Sequence, residues 1–168
     1  MDIRRVTLYG GGEISGRAIT DPRNQGYAWS PSSTQVAFAD ASSGNYDIYT
    51  VYADGRNDPR LTQVTDDPAQ DTGFVWSPDG RRLAYQSTQD GKLSVRVVNA
   101  DGSNQAEVAH GTGETQLRWS QDGKSIYALM QTGNDRLECE ACVARPSIYR
   151  INLSRPSVQQ IAYQDDVQ

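Results

Sequence analysis

The chain has 168 residues, a formal net charge of −5 and a sequence pI of about 4.8. That balance argues against nucleic acid as a main partner, because such binders carry a basic face. Apolar residues make up 36% of the chain and glycine occupies 15 positions, which suits one domain with a modest core and many turns. No run approaches the ~18 apolar residues of a membrane span, so no membrane insertion is expected. Met1-Asp2-Ile3-Arg4-Arg5 has no apolar stretch behind it and does not read as a signal peptide.

In chain order, the first predicted elements are short strands. Asp2-Ile3-Arg4-Arg5-Val6 matches Asp47 to Val51 at an offset of 45, and Ile19-Thr20-Asp21 matches Val64-Thr65-Asp66 at the same offset. Gly10-Gly11-Gly12 followed by Gly16 fails the spacing of a phosphate loop and has no helical pattern after it, so it reads as a turn between those strands.

A repeated phrase then begins. Trp29-Ser30-Pro31-Ser32-Ser33 recurs as Trp76-Ser77-Pro78-Asp79-Gly80 and as Trp119-Ser120-Gln121-Asp122-Gly123, at spacings of 47 and 43 residues. Ser-Pro-Asp-Gly suits a tight hairpin: proline presets the first corner and glycine takes positive φ without strain. Ser33 replaces that glycine and Gln121 replaces the proline, so those two turns are expected to be looser. Each hairpin leads into an apolar run, Val36-Ala37-Phe38, Leu83-Ala84-Tyr85 and Ile126-Tyr127-Ala128-Leu129.

A third strand follows, Asp47 to Val51, Leu93 to Val98 and Ser147 to Ile151, with Asp-Gly turns after the first two. A short fourth closes each unit at Arg60-Leu61-Thr62, Glu107-Val108-Ala109 and Gln160-Ile161-Ala162. Strands A to D of one unit thus form one small sheet, with the tryptophan on A. A period in the forties with internal turns predicts an all-β, propeller-type array of four-stranded antiparallel blades. The expected bounds are a half blade at 1–22, blades at 26–65 and 73–110, and a third at 115–163 with an insertion at 131–146. The three tryptophans are expected to pack between adjacent sheets.

The phrase Trp-Ser-Pro-Asp-Gly, followed by aliphatic-Ala-aromatic, Asp-Ile-Tyr, Asp-Gly and Leu-Thr, resembles the TolB β-propeller repeat over nearly the whole chain. The resemblance implies a binding platform, and by analogy a periplasmic or other extracytoplasmic setting, with a cytoplasmic one left open. Propellers close with ~4 to 8 blades, so three and a half are expected either to belong to a longer propeller or to self-associate through open strand edges.

Candidate chemistry is sparse. Cys139-Glu140-Ala141-Cys142 is half a zinc site with no second half, since His110 is the lone histidine and there are no further cysteines. A local disulfide, two free thiols, or a metal or redox role stay open for it. No cofactor, metal site or catalytic set is expected: His110 reads as a turn or surface residue, and no nucleophile elbow is present. Asn152-Leu153-Ser154 is a formal glycosylation sequon.

The B-to-C and D-to-A links emerge on one face. They carry Asp21, Asp40, Asp66, Asp67, Asp71, Asp90, Glu114, Asp135, Glu138 and Glu140 against Arg23, Lys92, Arg136 and Arg145. B-to-C crossings of seven or eight residues are expected in the first two blades. An acidic rim would attract a basic partner or a divalent cation, and Asp66, Asp67, Asp71, Glu114, Asp135, Glu138 and Glu140 are its expected contact residues. The expected function is non-catalytic binding of a protein or peptide. The alternatives are an accessory propeller of an enzyme such as a serine peptidase, or a carbohydrate or small-ligand module using Tyr46, Tyr52 and Tyr163.

Overall fold

The computed structural model describes residues 26–41, 44–52, 61–131, 147–155 and 157–163. The half blade at 1–22, the Cys139–Cys142 pair and Asp135, Glu138 and Glu140 lie outside the described residues.

Four antiparallel strands make the first sheet in sequential order: β1 (Tyr27–Trp29), β2 (Gln35–Asp40), β3 (Asp47–Tyr52) and β4 (Leu61–Gln63). Seven more make a second: β5 (Gln70–Trp76), β6 (Arg82–Gln89), β7 (Lys92–Asn99), β8 (Ala106–Trp119), β9 (Ser125–Gln131), β10 (Ser147–Asn152) and β11 (Ser157–Tyr163). The second sheet is two blades joined by β8, whose first half pairs with β7 and whose second half pairs with β9. The expected D-to-A link between these blades is therefore one continuous strand. The array is all-β and antiparallel, a partial propeller.

The hairpin turns are alike in all three blades. Gly80, Ser33 and Gly123 have φ of 67°, 57° and 66°. Their amides donate to Ser77, Ser30 and Ser120 carbonyls at 2.9, 2.8 and 3.0 Å. In each turn the serine Oγ also accepts the amide that restarts the sheet, from Arg82, Gln35 and Ser125. The expected loosening at Ser33 and Gln121 does not occur. This serine cap and the strand pairing outweigh the cost of left-handed backbone at Ser33, which is about 1 kcal/mol.

A second correction concerns the B-to-C crossing of blade two. β6 runs on to Gln89 and pairs in register with β7 down to Gln89 opposite Lys92. Only Asp90 (φ 51°) and Gly91 (φ 73°) connect them, a two-residue turn with positive φ at both positions.

Apolar side chains fill both junctions between blades. Ala37, Ala39, Ile48, Phe74, Trp76, Leu83, Tyr85 and Val98 form one core cluster. Ala84, Val95, Val97, Leu117, Ile126, Ala128, Met130 and Ile151 form the next. Alanine in strand B of the preceding blade leaves room for the bulky row of the following one. The tryptophan expectation holds for Trp76, which is 9% exposed, and for half-buried Trp119. Trp29 departs from it at 37% exposed. Its ring lies on the side of blade one away from blade two, where no described strand meets it.

Candidate functional site

One face of blade two looks toward blade one and changes character along its strands. Near the hairpins it is apolar, with Trp76, Leu83 and Val98 in one cross-strand row. Further along, the next positions on that face are Tyr85 and Arg96, then Asp71, Ser87 and Ser94, then Gln89 and Lys92. Period-two alternation places all of them on one side.

The polar half is tied to the link between blades one and two. Asn45 donates through Nδ2 to the carbonyls of Asp67 and Ala69 at 2.8 and 2.7 Å. The Asp67 carboxylate accepts the amide of Ala69 at 2.9 Å and the guanidinium of Arg96 at 2.8 Å. Gln105 donates to Asp67 at 3.2 Å and to the hydroxyl of Tyr85. Burial pushes the Tyr85 phenol up to about 12, so it remains a neutral hydrogen-bonding group at ordinary pH.

Asp71 occupies the buried centre of this cluster. It is wholly buried, and neither carboxylate oxygen has a hydrogen-bond partner. Burial raises its pKa to about 6, against the pull of the Ser87 and Thr65 hydroxyls and with a further push from Asp67. The pull of those hydroxyls toward the ionised form is outweighed by burial. Asp71 was expected on the solvent rim. As a strand residue facing blade one, it is closed to any partner.

The other expected contact residues divide. Asp66 is exposed and Asp67 partly exposed, but Asp67 is already engaged with Arg96. Glu114 lies within β8 rather than in a loop. Asp40 is buried.

Beyond Asp71 the face opens into a groove of about 560 Å³, lined among others by Ser87, Lys92, Ser94, Arg96, Glu107 and His110. Its origin is a mismatch of length: β6 and β7 have eight residues each, whereas β2 and β3 have six. Blade two outreaches blade one and leaves its polar end uncovered by it. His110 is highly exposed and sits 3.9 Å from the Glu107 carboxylate. No group of three metal-ligating side chains occurs among the described residues. Sequence reasoning missed Arg96, Gln105 and the groove; the Asp90-Gly91 dipeptide was the available signal for the hairpin that builds it.

The architecture and repeat agree with a family profile that describes the TolB beta propeller domain and matches residues 18–144. The chain belongs to the TolB β-propeller family. Among solved structures it is similar to a putative TolB from Agrobacterium tumefaciens, at 17% identity and a TM-score of 0.61, covering 82% of this chain and 50% of that one. It is also similar to TolB from Acinetobacter baumannii, at 17% identity and a TM-score of 0.62, covering 91% of this chain and 37% of that one. A match to prolyl endopeptidases has 16% identity and a TM-score of 0.56, covering 82% of this chain and 19% of the other. No curated protein matches the sequence significantly. This TolB-type chain thus spans half or less of the length of these structures. At such identities the likeness establishes the fold alone.

Proposed function

We propose that this TolB-type array is a non-catalytic binding domain for protein or peptide segments, with the groove beside the Asp90-Gly91 hairpin as its contact surface. The observation that carries this reading is the overhang of blade two. It presents a pre-formed polar groove on paired strands, so little ordering is needed when a partner binds. Of the charges that line it, Arg96 is already paired with Asp67, so the exposed Asp90 and Glu107 outweigh Lys92 and suit a basic, extended segment, with Ser94 and Gln89 offering neutral hydrogen bonds. Fluorescence polarisation with labelled Lys/Arg-rich, Asp/Glu-rich and neutral peptide pools tests it. Basic peptides should bind best, and Asp90→Lys with Glu107→Lys should weaken them about tenfold. Equal retention of acidic peptides, or unchanged affinity in the double variant, would refute the reading.

A second reading is an accessory propeller of a larger enzyme. It is favoured by the match that spans most of this chain and only 19% of prolyl endopeptidases. A parent polypeptide continuing into an α/β-hydrolase would support it.

A further inference from the structure

In the first two blades one cross-strand row receives the tryptophan of the blade that follows. Blade one offers Ala28, Ala37, Thr50 and Thr62, and blade two offers Val75, Ala84, Val97 and Ala106. Trp76 Nε1 donates to the carbonyl of Ala28 at 2.9 Å, and Trp119 Nε1 to that of Val75 at 3.1 Å. Small side chains let the two sheets close over the indole.

Blade three breaks this pattern. Its equivalent row is Arg118, Tyr127, Arg150 and Gln159, and Gln116, Leu129 and Ile148 form the next row on the same face. Both arginines and both glutamines are exposed, while Tyr127, Leu129 and Ile148 are half-buried. Two strand spacings, about 10 Å, separate Arg118 from Arg150. Among the described residues neither arginine is in an ion pair, although the chain holds 21 acidic residues against 16 Lys and Arg. Arg150 Nε donates to the Oγ of buried Ser125 at 3.1 Å. That bond steadies the guanidinium and leaves its Nη groups for an incoming carboxylate. Asp122, whose carboxylate feels Arg150, is held in its own turn by the Ser120 hydroxyl and the Lys124 amide.

We infer that this face of blade three is a docking surface for an acidic face of a partner protein, with Arg118 and Arg150 as carboxylate forks on either side of Tyr127. A tyrosine between two arginines, apolar contact at Leu129 and Ile148, and a glutamine rim are the composition of a protein interface. Charge complementarity decides the occupant. An apolar row such as Trp76, Leu83 and Val98 laid here would dehydrate two guanidinia without supplying an anion. The net charge of −5 repels a long polyanion but not a compact acidic patch. A sheet face without walls favours a partner that is already ordered, since a flexible segment loses its freedom for little contact. The surface is separate from the groove of blade two and does not rest on that reading.

The test uses the full chain and a cyclised hairpin peptide that presents two glutamates around a leucine on one face. Fluorescence polarisation should show it binding at least tenfold more tightly than its glutamine counterpart or the same sequence left linear. Arg118→Gln with Arg150→Gln should reduce it to the glutamine level, and the Lys pair at these positions should recover only part, because an ammonium keeps the charge and loses the fork. Asp90→Lys with Glu107→Lys should leave it within about twofold, which separates this surface from the groove. The inference is overturned if the glutamate and glutamine hairpins bind alike, or if the double glutamine variant binds as the parent does. It is also overturned if a cyclised copy of Gln70 to Gln89 binds as tightly, since the face then accepts an apolar blade. Binding that appears only after Asp135, Glu138 and Glu140 are neutralised would overturn it too, because the chain's own acids would then be the occupant.

Discussion

The indole nitrogen of Trp76 donates to the main-chain oxygen of Ala28 at 2.9 Å, which joins two blades through one repeated side chain. Trp76→Phe removes that donor and leaves a partly buried carbonyl unsatisfied, besides opening a small void. The expected loss is about 1–3 kcal/mol. Trp29→Phe removes no hydrogen bond among the described residues and should stay within about 0.5 kcal/mol of the parent. Urea unfolding of the two variants checks this, and equal losses would contradict the role given to the inter-blade bond.

Arg82 links the second junction at its hairpin end. Its Nη2 donates to the carbonyl of Gly123 at 2.9 Å, and its guanidinium lies 4.8 Å from the centre of the Trp119 ring. Arg82→Ala should cost about 1–2 kcal/mol, the sum of a charge-assisted hydrogen bond and a partly exposed cation–π contact. Arg82→Lys should recover only part of it, because an ammonium cannot both stack and reach the carbonyl in the same plane. Thermal unfolding of both variants gives the comparison.

Ser33 holds φ of 57° where the sister turns have glycine. Ser33→Gly relieves left-handed strain, offset in part by greater freedom in the unfolded chain, and should stabilise by about 0.5–1 kcal/mol. Gly80→Ala should destabilise by a similar or larger amount. An ideal Cβ at Gly80 meets only Pro31 at 3.6 Å, so the cost there is backbone conformation rather than space. A neutral or unfavourable Ser33→Gly would show that the Ser33 side chain contributes more than the strain.

Much of this fold was legible in the chain because its turns are local. Trp-Ser-Pro-Asp-Gly specifies a hairpin by itself, and three copies specify an array. The misplaced features are those decided by neighbours. Gln86 to Gln89 look like loop residues, yet they extend β6 because the opposing β7 pairs with all of them. Nothing near Asp71 in sequence marks it as buried; its surroundings come from Thr65, Ser87 and Arg96. Trp29 sits in the same phrase as Trp76, and what sets them apart among the described residues is that a neighbouring sheet covers Trp76. The polar groove was hidden for the same reason, since it arises from the unequal reach of two blades.

The buried carboxyl of Asp71 should make stability depend on pH. Its folded pKa, about 6, lies above the ordinary value of 3.8, so the folded state binds the proton more tightly than the unfolded state. The group's favourable contribution is complete below the unfolded pKa and disappears as pH rises through about 6. At pH 7 and above, the ionised form is buried without a hydrogen-bond partner, and the penalty is about 3 kcal/mol. Asp71→Asn keeps the shape and removes the titration. It should therefore unfold at higher urea than the parent at pH 7.5, by roughly that free energy, with the gap closing as pH falls toward 4. Chemical denaturation of the pair across pH 4 to 7.5 measures the gap directly. A difference that stays constant with pH would mean that Asp71 finds a donor, such as the Ser87 hydroxyl, and titrates like an ordinary aspartate.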